Sequence, residues 1–139
     1  MASEPSLYNW DSRLREKVRK GFERYGFRGA DGLLVMNWLE PGMRTNPHSH
    51  PFEQVVYIVK GTMRFYIGDT VVEGGAGSLI RIPSDVEHYG EPMGDELVLN
   101  LDVFTRYAMI TSIWWTISHQ SLFRLGQADK SKFMKPCPL

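Results

Sequence analysis

The sequence predicts a small all-β domain, a barrel or sandwich of short strands. Three observations lead there. Five β-rich runs of four to eight residues succeed one another: Leu33 to Leu39, Val55 to Lys60, Met63 to Ile67, Leu79 to Ile82 and Leu97 to Phe104. Turn signals separate them, among them Pro41-Gly42, Lys60-Gly61, Gly68-Asp69 and Gly74-Gly75. The last run, ELVLNLDVF, alternates with period two: Leu97, Leu99, Leu101 and Val103 share one face, and Val98, Asn100, Asp102 and Phe104 the other.

With 139 residues the chain is long enough for one domain with a real core and too short for two. Apolar content of 42% and charged content of 23% are those of an ordinary globular protein. Sixteen basic residues balance sixteen acidic ones, so no global charge draws the chain to nucleic acid or to an anionic membrane. Cys137 is the only cysteine, which excludes an internal disulfide, and neither a signal peptide nor a run of 18 apolar residues is present. A cytoplasmic protein is the expectation.

Taken in order, residues 1–29 read as an N-terminal arm. Asp11 could cap a helix over SRLREKVRK, or the same residues could form an edge strand with Leu14, Val18 and Phe22 on one side; the strand fits the rest of the chain better. Arg13, Arg15, Lys17, Arg19 and Lys20 read as a solvated face, with a phosphate-binding patch as the sharper alternative. No aromatic interleaving or recognition module supports that alternative. Residues 30–105 carry the strand rhythm, with Met36, Trp38, Met63 and Phe65 as barrel lining or core.

The segment GMRTNPHSHPFEQVVYIVKG holds the chemistry. Residues i and i+2 of a strand point the same way, so His48 and His50 project two imidazoles from one face. Gln54 keeps the parity of His50 and Glu53 does not, but Pro51 interrupts the strand, so parity leaves both open as ligands. Downstream, GSLIRIPSDVEHYG delivers His88 after a proline turn. Three imidazoles and an oxygen donor suit one divalent transition metal (Fe, Mn, Ni, Co or Zn) and leave coordination positions free.

These stretches resemble the cupin motifs. The first, G-x5-H-x-H-x3,4-E-x6-G, is matched by Gly42, His48, His50, Gln54 in place of glutamate, and Gly61. The second, G-x5-P-x-G-x2-H-x3-N, is matched by Gly77, Pro83 and His88, with Asp85 replacing a glycine and Pro92 an asparagine. The resemblance implies a single jelly-roll barrel with one metal in its mouth, held by His48, His50, Gln54 and His88. It selects Gln54 over Glu53. A neutral amide leaves the ion its full charge, which favours Lewis-acid chemistry over oxygen activation.

Within the cupins, HxHxxEQ followed by a strand ending DVF is similar to the pectin-degradation cupins that linearise unsaturated uronates and to the cupin lyases of dimethylsulfoniopropionate. The first group places an aspartate and a phenylalanine of the last strand near the metal. Asp102 and Phe104 match them, which implies a general acid/base role for Asp102. Arg81, Tyr57 and Tyr66 are further candidates for binding the substrate. The expected function is a metal-dependent isomerase or lyase of a small oxygenated or carboxylated molecule. An Fe-dependent dioxygenase and a non-catalytic ligand-binding or sensing module are the alternatives. Such barrels often pair through an edge strand, so a homodimer is expected.

After Thr105 the likeness stops. The segment 106–139 runs RYAMITSIWWTISHQSLF and onward, where the family has a polar stretch with an arginine. Joining the last base of each codon to the first two of the next turns Met-Ile into Asp, Trp-Trp into Val and Trp-Thr into Asp. With permitted synonymous codons the segment then reads Leu-Arg-Asp-Asp-Tyr-Phe-His-Leu-Val-Asp-Tyr-Gln, which is much closer to a cupin ending. A frame slip in the gene or its reported sequence is the expectation.

Overall fold

A computed structural model describes residues 4–105. The segment 106–139, with its expected frame slip, lies outside the described residues. After a short 3-10 turn, Trp10–Ser12, nine strands follow: β1 (Glu16–Arg19), β2 (Phe22–Arg28), β3 (Gly32–Leu39), β4 (Gln54–Lys60), β5 (Thr62–Ile67), β6 (Thr70–Gly74), β7 (Leu79–Ile82), β8 (His88–Met93) and β9 (Val98–Thr105). All pairings are antiparallel, in two sheets ordered β1-β2-β3-β9-β4-β7 and β6-β5-β8. Facing each other, the sheets form a jelly-roll barrel. Leu39, Val56, Ile58, Met63, Phe65, Ile82 and Val98 pack between them.

Parity decides what faces the interior. On β4, Gln54, Val56 and Ile58 are buried while Tyr57 is exposed. On β9 the inward face is the one carrying Val98, Asn100, Asp102 and Phe104, while Leu97, just before the strand, is 37% exposed. The mixed face is therefore the inner one: the apolar alternation of this strand marks its outside, and the barrel interior is where the polar groups sit. Met63 and Phe65 are core, whereas Met36 and Trp38 are buried on the opposite parity of β3 from Val35, Asn37 and Leu39. There the N-terminal segment covers them, with the Arg15 guanidinium 3.9 Å above the Trp38 ring.

The residues 13–20 thus do not stack on one helical face. Glu16–Arg19 forms the edge strand β1, and β2 pairs along its length with β3, from Phe22↔Leu39 to Arg28↔Leu33. Two turns are conformationally demanding. Gly61 sits at φ 83°, and a Cβ there would lie 2.7 Å from Val98 Cγ2. Asp85, at the position where the second cupin motif has glycine, adopts φ 63°. An aspartate tolerates this left-handed region better than most side chains.

Candidate metal centre

The loop between β3 and β4 carries His48 and His50, and β8 begins at His88. Main-chain bonds fix these two pieces against each other. His48 N–H donates to His88 O at 3.1 Å and His88 N–H to His48 O at 2.8 Å; Asp85 N–H donates to His50 O at 2.8 Å. One ring nitrogen from each of the three imidazoles lies within 4.8 Å of the others. His50 and His88 are buried.

Each imidazole is oriented the same way. Nδ1 of His48, His50 and His88 faces the carbonyl of Asn46, Phe52 and Val86, at 2.7, 2.8 and 2.8 Å. A carbonyl only accepts, so the proton sits on Nδ1 and every Nε2 presents a lone pair. Burial pushes His88 down to about 4 and lowers His50 as well, and repulsion among the three rings adds to it. His50 and His88 are thereby held in the neutral form that a metal requires.

Whether these residues fit a cation can be tested on two atoms. His88 Nε2 is buried without any hydrogen-bond partner. Gln54 Oε1 lies 3.1 Å from His50 Nε2. The Gln54 amide nitrogen is engaged with Asp102, so its oxygen faces the ring. A lone pair on Nε2 opposite a lone pair on Oε1 is repulsive unless a cation takes both. The donor set therefore fits a metal ion, with Gln54 rather than Glu53 on the inside. Glu53 instead pairs with Arg81 on the outer surface.

Asp102 stands beside this cluster. Asn37 Nδ2 donates to its Oδ2 at 2.8 Å and Asn100 Nδ2 to its Oδ1 at 2.7 Å. Burial raises the carboxyl's pKa, against the lowering effect of Asn100, Asn37 and Gln54. On the other side Phe52 stacks on His50, centroids 4.2 Å apart, and Phe104 meets both rings edge-on. His48, His50, His88, Gln54 and Asp102 all line one cavity of about 890 Å³.

Three expected substrate contacts lie elsewhere, because each side chain has the outward parity of its strand. Arg81 is exposed on β7 and paired with Glu53, Tyr57 is 38% exposed on β4, and Tyr66 donates to Glu91 at 2.9 Å and stacks on Tyr89. None of the three lines the cavity. Asn37, Asn100 and Arg24, which do line it, were not anticipated. Asn100 shares the parity of Asp102, a usable signal. Asn37 sits in GLLVMNWL, where no alternation marks a face.

Two opposed antiparallel sheets closing on converging imidazoles define a barrel with a metal-type site in its mouth. The sequence agrees: residues 38–104 match the family model described as Cupin domain, and this segment is similar to the cupins. Comparison with curated proteins gives no match. Among solved structures, KdgF from Halomonas sp. is 19% identical with a TM-score of 0.68, over 74% of this chain and 94% of that one. An RmlC-like cupin from Shewanella frigidimarina NCIMB 400 is 20% identical with a TM-score of 0.65, over 76% and 95%. The polyketide cyclase RemF from Streptomyces resistomycificus is 22% identical with a TM-score of 0.62, over 74% and 80%. At these identities the likenesses speak for the fold alone.

Proposed function

We propose that this chain is a metal-dependent enzyme that isomerises or eliminates from a small oxygenated or carboxylated molecule. The carrying observation is the arrangement of Gln54, whose oxygen faces His50 while its amide nitrogen engages Asp102. It joins a cation site to a carboxylate within one cavity. His48, His50, His88 and Gln54 would hold a divalent transition metal, which would supply Lewis-acid polarisation of a substrate oxygen. Asp102 moves the proton, through whichever carboxylate oxygen faces the substrate. Asn37 and Asn100 hold that carboxylate in one orientation. Phe52 and Phe104 wall off the His50 side from water. That the fold also houses a polyketide cyclase agrees with an enzyme of this kind. An iron dioxygenase would use the same imidazoles but gives Asp102 no task, and a sensing module needs neither Asp102 nor the cation. A cytoplasmic setting accords with the lone Cys137.

Elemental analysis of gently purified protein, then aerobic and anaerobic turnover of uronates and β-diketones, tests the proposal. About one transition-metal ion per chain, oxygen-independent turnover and its loss in Asp102→Asn are expected. Turnover that requires both iron and oxygen defeats it.

A further inference from the structure

The basic run near the N-terminus divides in the structure, and part of it faces the site. Arg13 lies over Tyr8, and Arg15 over Trp38 while pairing with Asp11 and Glu23. Arg19 and Lys20, by contrast, line the cavity together with Arg24 and Arg44. Only two carboxylates share that lining: Asp102 near the imidazoles and Glu40. Arg24 is matched by Glu16 at 3.1 Å. Among the described residues, Arg19, Lys20 and Arg44 have no carboxylate within ion-pair distance, although Arg15, Arg24, Arg64 and Arg81 each do.

Arg19 is held in place, and the segment that carries Arg44 is fixed through its main chain. Arg19 Nε donates to Arg44 O at 2.7 Å and its guanidinium lies 4.9 Å over the Phe22 ring. Glu40 N–H donates to Gly21 O at 2.8 Å, which locks the β1–β2 turn to the loop after β3. The same loop continues through Asn46, whose carbonyl orients His48. Arg24 and Arg44 both repel the charge on Arg19, so the group is electrostatically unfinished. Like charges gathered at a cavity wall are relieved by an anion, and guanidinium forks match planar oxyanions in particular.

We propose that Arg19 and Arg44, with Lys20, form an oxyanion-binding rim that fixes the charged end of the substrate. The substrate is then a small molecule with an oxyanion, carboxylate or phosphate, at one end and a neutral oxygen function reaching the imidazoles. This rests on the reading of the cavity as a substrate site, but its test does not depend on turnover or on metal.

Full-length protein, both as purified and after dialysis against a chelator, is titrated by calorimetry with malonate, inorganic phosphate and neutral malonamide. Malonate or phosphate should bind and malonamide should not, and the preferred anion identifies the source of the oxyanion. Arg19→Gln and Arg44→Gln should each weaken the anion about tenfold, the loss expected for one charge-assisted contact. Lys17→Gln removes an equal charge from outside the cavity and should change binding less than about twofold by screened long-range attraction alone. Arg44→Lys, which keeps the charge but not the fork, should bind the anion more tightly than Arg44→Gln and less tightly than the parent, and it guards against misfolding of the glutamine variant. The proposal is overturned if neither anion binds, or if Lys17→Gln costs as much as Arg44→Gln. Anion binding that disappears with chelation and ignores both arginines also overturns it, since the metal alone would then be the site.

Discussion

Gln54 faces two ways, and that explains an amide where the cupin motif has a carboxylate. Its oxygen is turned to His50 and its nitrogen to Asp102. Glutamate there would set two carboxylates side by side, and one of them would keep its proton near neutral pH. Gln54→Glu should therefore bind divalent metal more tightly in a competition titration yet turn over more slowly; unchanged or faster turnover counts against the Lewis-acid reading. His88→Ala removes a buried imidazole whose Nε2 has no protein partner, so metal affinity should fall by an order of magnitude or more, read by dialysis and elemental analysis. The imidazoles and Gln54 were legible in the sequence because motif spacing fixes them. Arg81 and Tyr57 misled because chemistry alone says nothing of side-chain direction, and one step along a strand reverses it.

At the scale of the element, the strand rhythm was legible where β-branched and apolar residues gather, as in Leu33 to Leu39 and Val55 to Lys60. It was illegible in β8, His88–Met93, where Gly90 and Pro92 interrupt the pattern. Proline is tolerated there because β8 is an edge of its sheet, with β5 as its one neighbouring strand among the described residues. Gly90 is kept bare because a Cβ would come within 2.7 Å of the Phe65 ring. Turns make the sharper test. Gly61→Ala combines a left-handed backbone with the Val98 contact and should cost about 2 kcal/mol or more by denaturant unfolding. Asp85→Gly should be neutral or stabilising by less than about 1 kcal/mol, whereas Asp85→Val should destabilise by about 1–2 kcal/mol. Asp85 thus takes the left-handed backbone that glycine adopts most readily.

For the whole molecule, acid should weaken the metal-free protein. The His88 imidazole, ordinarily titrating near 6.5, is lowered by burial to about 4 in the fold, so between these pH values the unfolded chain binds more protons. Stability is then complete above pH 6.5 and declines as pH falls toward 4, by on the order of 2–3 kcal/mol from this residue. Urea unfolding at a series of pH values reads the slope; a flat profile would remove the buried neutral imidazole. The homodimer stays a proposal, and the exposed Leu79 on the edge strand β7 and Tyr57 beside it are where it would form. Leu79→Lys should then halve the mass found by light scattering. Resequencing the gene across Trp114-Trp115 tests the frame slip; an intact frame there sinks it.

The reciprocal bond between His48 and His88 has a consequence in time as well as in space. Two of the three imidazoles hang from a main-chain clasp that joins the β3–β4 loop to β8. Ligands so fastened need little ordering when the ion arrives, so loading should be limited by encounter and by shedding of the ion's hydration, not by a search of the loop. Hydrogen–deuterium exchange of the chelated protein would register this: the amides of residues 48 and 88 should remain slow to exchange, with or without the ion. The socket is set before its occupant comes.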